Sequence, residues 1–270
     1  MDASGVAVVT GASRGIGRAV AVDLAQAGFD VVATMRDPAA GDGLRDEVGE
    51  TTGSITVQRL DVDDPESIEL PADLRVLVNN AGIERDYLPV EHVPMDQWRA
   101  VFETNVFGLV EVTRRAIPLL RANGGGVLCS ITSSSILVPV PFYAVYRASK
   151  AAVSALDDTL RVELAPFGIR VVEIMPGPVE SDMLYDSDRM AEASQFDEYR
   201  AMAEQVYAGR QQIRDQYTPA LVAAAAIRAA ILDDGGPMRY GCEPMSDGLV
   251  EMWRTSSDEA LFAATFGGSA

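Results

Sequence analysis

Val6-Ala7-Val8-Val9-Thr10-Gly11-Ala12-Ser13-Arg14-Gly15-Ile16-Gly17 decides the fold of this 270-residue chain. A β-branched run passes straight into a glycine turn and then into a helix that ends near Gly28. Glycines at 11, 15 and 17 permit a tight turn and close backbone approach, and the helix N-terminus offers free N–H groups and partial positive charge to a pyrophosphate. A glycine run alone could be only a strand-to-helix turn; its place directly after the first strand points to phosphate binding. Outward from it, short β-branched runs recur at Val31–Thr34, Ile55–Leu60, Val76–Asn79, Val127–Ile131 and Val171–Ile174, with helix-periodic segments between them. Strand, crossover and strand, repeated, is the pattern of an α/β doubly wound parallel sheet with helices on both faces. Long helices are expected from about Pro94 to Leu120, Ala144 to Pro166 and Thr218 to Leu232, with a more polar helical stretch from Ser187 to Gln216. No linker, repeat or low-complexity tract interrupts the chain, so residues 1–270 read as a single domain.

Composition narrows the partners. With 48% hydrophobic residues the chain can bury one large core. A net charge of -18 argues against nucleic acid or an acidic membrane, which would call for clustered excess of Lys and Arg. Cys129 and Cys242 form no CxxC pair and no ligand cluster, so no metal site and no disulfide framework is expected. Apolar sequence begins at Val6 without room for a signal peptide, and no stretch approaches about twenty apolar residues. A soluble cytoplasmic protein with a small-molecule partner is expected.

The end of the second strand reads cofactor choice. An acidic residue there commonly holds an adenosine ribose 2′-OH, whereas arginine accommodates a 2′-phosphate. Arg36 stands at this turn and Arg14 in the glycine loop, and two guanidiniums could clamp a phosphate. Asp37 could neutralise Arg36 or face the ribose itself. NADP(H) is therefore expected over NAD(H), with NAD(H) as the alternative.

Every basic side chain is arginine except Lys150, four residues after Tyr146. That spacing puts both on one helix face. An ammonium is a compact charge with three rotatable donors, able to bond sugar hydroxyls close to a phenol, where a planar guanidinium is wide and rigid. Together the residues resemble the short-chain dehydrogenase/reductase family: Thr10 to Gly17, Asn79-Asn80-Ala81-Gly82 after the fourth strand, Asn105, Ser133, and Tyr146-x-x-x-Lys150, in the family's order from residue 5 to about 182. The resemblance implies a Rossmann fold, a nicotinamide cofactor and a catalytic set of Asn105, Ser133, Tyr146 and Lys150. It implies cofactor contacts from Gly11, Ser13, Arg14, Gly15, Ile16, Gly17, Arg36, Asp61, Val62, Asn80, Ala81 and Gly82, with Tyr146 and Lys150. Pro176, Gly177, Val179 and Ser181 match the family's nicotinamide loop, with serine at 181 where threonine is usual.

The chemistry requires such groups. Hydride transfer to a carbonyl leaves an alkoxide that must take a proton, and a phenol of pKa about 10 is poorly matched to neutral pH without nearby positive charge. Lys150 and an oxidised nicotinamide would supply that charge, and Ser133 would hold the substrate oxygen. Tyr143 repeats the four-residue spacing, but with Arg147, so it is expected as a pocket wall. His92, the only histidine, is expected at the surface.

About 5–182 is expected to form the cofactor-binding and catalytic core, about 183–216 a substrate lid, and about 217–270 a C-terminal helix and tail. Val140, Phe142 and Tyr143 across from Met183, Leu184 and Tyr185 suit a bulky hydrophobic or aromatic ketone; equally, they could be the buried face of lid helices. The ending Gly236-Pro237-Met238-Arg239-Tyr240-Gly241 resembles the hydroxysteroid and retinol dehydrogenase branch. The resemblance also implies a homodimer or homotetramer through the helix that begins near Ala144, where Ala151, Ala152 and Ala155 allow close approach. The reaction expected is NADP(H)-dependent interconversion of a ketone or aldehyde with the corresponding alcohol. An NAD-dependent secondary-alcohol dehydrogenase and a non-catalytic nucleotide sensor are the alternatives.

Overall fold

A computed structural model describes residues 1–266. Among them, seven strands make one sheet: β1 (Val6–Val9), β2 (Asp30–Met35), β3 (Ser54–Arg59), β4 (Leu74–Asn79), β5 (Gly126–Ile131), β6 (Ile169–Ile174) and β7 (Arg239–Tyr240). Their order is β3-β2-β1-β4-β5-β6-β7, and every neighbouring pair is parallel. The helices are α1 (Gly15–Ala27), α2 (Leu44–Val48), α3 (Met95–Phe102), α4 (Leu109–Ala122), α5 (Ala144–Leu164), α6 (Asp182–Ser187), α7 (Asp197–Ile213), α8 (Ala220–Leu232), α9 (Pro244–Thr255) and α10 (Asp258–Phe266). This is a single Rossmann-like α/β domain. No helix among the described residues is long and apolar enough to cross a membrane.

Burial on both faces explains the strands' unbroken apolar runs. On one side Ala7, Val9, Val76, Val78, Val127 and Cys129 pack against Leu24 of α1 and Ile227 of α8. On the other, Val8, Leu77 and Leu128 meet Val112 and Leu120 of α4 and Leu160 of α5. The strand order reverses between β1 and β4, which opens a crevice at their C-terminal ends. The glycine turn after β1, Asn80-Ala81-Gly82 after β4, Ser133 after β5 and Pro176-Gly177 after β6 sit at that end of the sheet.

Besides the stretch expected from Ser187 to Gln216, which is α-helical only over α7, two elements differ from the sequence expectation. The helix expected from Pro94 to Leu120 is α3 and α4 joined by a π-helical turn over Glu103–Gly108. Asn105 in this turn accepts from Ile83 N at 2.8 Å and donates to Ile83 O at 2.9 Å, and a Cβ at Gly108 would press on Val62. Tertiary bonds to the β4 loop thus set the wider turn, which helix periodicity alone does not encode. The second difference is β7, which was not expected. Its two residues are too short to leave an apolar run, and it is fixed by a buried ion pair in which Arg239 Nε donates to Glu173 at 2.9 Å.

Glu173 also accepts from Thr132 Oγ1 and Ser154 Oγ, so its carboxylate is well bonded. Asp157 on α5 is not: Ser130 Oγ donates to one oxygen at 3.0 Å, and Oδ2 is buried without a partner. Burial, reinforced by the charge of Glu173, holds the Asp157 carboxyl well above the ordinary range. An acid that keeps its proton more tightly folded than unfolded costs stability as pH rises above its unfolded value near 3.8. Asp157→Asn is therefore expected to raise the melting temperature at pH 7 by about 2 °C or more, with the gain shrinking toward pH 4. Thermal unfolding of both proteins across that range checks it.

Candidate active site

The glycine turn is bolted to the end of β4. Thr10 Oγ1 accepts from the backbone N–H groups of Asn80 and Ala81 at 3.0 and 3.1 Å, and Asn80 Nδ2 donates to Thr10 O and Gly11 O. Gly11 has φ +66, and a Cβ there would lie 2.8 Å from Ala81 Cα. At Gly17 a Cβ would collide with Asn80 Nδ2 and Gly11 O. Such a cradle, with the α1 N-terminus opening onto it, fits a pyrophosphate. The Pro176–Gly177 loop is backed by the Glu243 carboxylate, which caps α9 through the N–H groups of Met245 and Ser246. Ser181 caps α6 by accepting from Leu184 N at 3.2 Å.

These parts line one cavity of about 530 Å³. Around it the structure brings Gly11, Ser13, Arg14, Gly15, Ile16 and Gly17 together with Arg36, Asp61, Val62, Asn80, Ala81 and Gly82. Ser133, Tyr146, Lys150, Pro176, Gly177, Val179 and Ser181 complete the same wall. Val140, Tyr143, Met183 and Leu184 line its far end. Asn105 lies behind the lining, 1% exposed, and donates to Ser149 Oγ at 3.0 Å while Ser149 bonds the Tyr146 carbonyl.

Two residues expected in the substrate pocket do not line the cavity. Phe142 is the only non-glycine residue with positive φ among those described, at +68, and this left-handed backbone turns its ring edge-on to Tyr199 of α7. Tyr185 lies on the outer side of α6, 48% exposed. His92 stacks on Phe196 outside the cavity.

Ser133 Oγ is 2.8 Å from Ser135 Oγ, and Arg147 Nε holds their turn to α5 through Ser135 O at 2.6 Å. Burial raises the Tyr146 phenol above its ordinary value, the charge of Glu84 adds to this, and a hydrogen bond with Ser133 pulls it back. Burial likewise pushes the Lys150 ammonium down to about 8, against the pull of Asp157 and Glu84. Lys150 Nζ donates to Ile131 O at 2.8 Å and lies 5.8 Å from the Tyr146 ring centre.

At the end of the cavity formed by the glycine turn, Arg14 pairs with Asp182 at 3.2 Å, both well exposed. Asp37 accepts from Ala39 N at 3.0 Å and so caps the next turn. Beyond the sequence reading, Glu84, Arg210, Ile213, Tyr217, Met245 and Leu249 also line the cavity. Arg210 donates to the Tyr143 hydroxyl and to Ser187 O, and covers the stacked rings of Tyr87 and Tyr143, whose centres are 4.5 Å apart. No sequence pattern links these distant segments.

The short chain dehydrogenase family model matches residues 5–192. This chain belongs to that family. It is 38% identical over 187 residues to an uncharacterized oxidoreductase, YusZ, of Bacillus subtilis, covering 66% of each protein. It is 34% identical over 191 residues to estradiol 17-beta-dehydrogenase 2 of Rattus norvegicus, covering 67% of this chain and 50% of the rat enzyme. Among solved structures, a Burkholderia cenocepacia short chain dehydrogenase in complex with NADP matches with a TM-score of 0.75 and 25% identity, over 98% of this chain and 99% of that one. The similarity to curated relatives thus spans from half to about two thirds of their length. Membership places this chain in a family of oxidoreductases.

Proposed function

We propose that this short-chain dehydrogenase is an NADPH-preferring carbonyl reductase that interconverts bulky lipophilic ketones or aldehydes with their alcohols. The observation that carries the reading is the placement of Ser133, Tyr146 and Lys150 on one wall of the cavity whose other end is the glycine cradle. A bound nicotinamide would supply the hydride. In this reading Ser133 Oγ donates to the substrate oxygen, and Tyr146 gives its proton to that oxygen as negative charge develops. With its pKa at about 8, Lys150 carries its charge at neutral pH and favours the departing proton's phenolate. Asn105 holds the Ile83 main chain and Ser149, and through them the position of Tyr146. Residues 183–216 serve as a lid, with Met183, Leu184 and Ile213 lining the cavity together with Val140.

The cofactor preference rests on Arg36 and Arg14 in the cavity lining, while Asp37 lies outside that lining and accepts from Ala39 N to cap its own turn. A charge-assisted bond is worth about 1.5–3 kcal/mol. Arg36→Ala is therefore expected to lower kcat/KM for NADPH by about tenfold to a hundredfold and to leave NADH nearly unchanged. Initial rates with each nucleotide check this; equal losses with both would contradict it. Outward-facing Ala151, Ala155 and Val162 on α5 support a homodimer or homotetramer through that helix.

A further inference from the structure

Arg14, Arg36 and Arg210 line the cavity. Arg14 is paired with Asp182, and Arg36 follows β2, whose Thr34 O accepts from Ala12 N of the glycine turn. Arg210 stands at the other end, near the close of α7, half-buried and with no carboxylate in ion-pair reach among the described residues. Its hydrogen bonds go to neutral oxygens: Nη1 donates to Ser187 O and Nη2 to the Tyr143 hydroxyl. The other N–H groups of the guanidinium have no acceptor among the described residues. The guanidinium carbon lies 5.0 Å from the Tyr143 ring centre and 5.7 Å from that of Tyr87, which fixes the head group against this wall. The Tyr143 ring centre is in turn 6.3 Å from that of Tyr146, so Arg210 stands one ring away from the proton donor. Val140, Met183, Leu184 and Ile213 make the same end of the cavity apolar.

A cation drawn out of water without a counterion is costly, and a ligand that brings the opposite charge recovers part of that cost. Resting on the carbonyl-reductase reading, we propose that Arg210 forms an anion subsite at the substrate end of the cavity, making ketones that carry a carboxylate on an apolar body the preferred substrate class. The guanidinium fork matches a carboxylate through two parallel N–H bonds. One guanidinium balances one negative charge. Glu84 also lines the cavity, and its carboxyl, which burial pushes up to about 7, is partly ionised at neutral pH and opposes a second negative charge. A monoanion therefore fits where a dianionic phosphate ester does not. The Tyr143 ring between Arg210 and Tyr146 sets the carboxylate several bonds from the reacting carbonyl, which excludes a 2-oxo acid.

Two matched pairs test this: β-benzoylpropionate and γ-benzoylbutyrate, each against its own methyl ester. Each compound is titrated by calorimetry into the protein with saturating NADPH, for the native chain, Arg210→Gln and Arg210→Lys. The native protein is expected to bind the acid of at least one pair about tenfold or more tighter than its ester. Arg210→Gln, which keeps N–H donors but no charge, erases that ratio, and Arg210→Lys, which keeps the charge without the fork, retains part of it. A merely structural Arg210 would weaken acid and ester alike and leave the ratio unmoved. No preference for the acid in either pair, or a preference that survives Arg210→Gln, overturns the subsite. NADPH oxidation is recorded in parallel. An acid preference that depends on Arg210, without oxidation of NADPH, would sink the reductase reading and leave the subsite standing. Oxidation with the esters and no acid preference would do the reverse, so the two failures are separable.

Discussion

Tyr146→Phe is expected to lower kcat for ketone reduction by about a thousandfold while leaving NADPH binding within about twofold, since general acid catalysis contributes roughly 10²–10⁴. The substitution removes one oxygen and keeps the ring, which packs beside Tyr143 with centres 6.3 Å apart. The folded protein should therefore be unchanged. Tyr143 does not substitute for it in this account, because its hydroxyl is held by Arg210 of α7 and the residue four places on is Arg147, which is committed to Ser135 O. Steady-state rates with an aryl ketone, beside nucleotide binding by fluorescence, check the split. A variant keeping a tenth or more of native kcat would mean that another group supplies the proton.

Lys150→Arg is expected to cost about a hundredfold or more in kcat/KM although charge is conserved. Lys150 is 5% exposed, its Nζ donates to Ile131 O, and a Cβ at Gly82 would already come within 3.4 Å of Nζ. A planar guanidinium needs more width than this slot gives, and overpacking a well-filled site forces neighbours to move. The affected neighbours are those that matter: Ile131 leads into Ser133, and Gly82 into Ile83 and Glu84. KM for NADPH should rise together with the fall in kcat, in contrast to Tyr146→Phe. Near-native kinetics in Lys150→Arg would show that a positive charge alone suffices there and that the single lysine has no chemical cause.

How much of this could be read from the chain depends on how local each cause is. The central strands β1, β2, β4 and β5 were legible because their middles are apolar on both faces, and the glycine cradle because Gly11 and Gly17 admit no side chain. Tyr146 and Lys150 share a helix face by spacing alone, and the sequence carries that directly. The π turn at Glu103–Gly108 was not legible, because Asn105 makes it through bonds to Ile83, twenty-two residues away in the chain. Strand β7 depends on the buried partnership of Arg239 with Glu173, and two residues leave no periodicity to read. Phe142 and Tyr185 looked like pocket residues by composition; one left-handed backbone and one outward helix face turned them away. Glu84 and Arg210 come from a loop and a helix far apart in sequence, and only the fold places both in the cavity wall.

The most direct measurement is NADPH and NADH oxidation by the purified protein with a panel of aryl, steroid and carboxylate-bearing ketones, run beside Tyr146→Phe at saturating nucleotide. The account predicts turnover by the native protein that is faster with NADPH than with NADH and is lost in the variant. Tight NADPH binding with no oxidation against any ketone in the panel, or turnover unchanged by Tyr146→Phe, would contradict it.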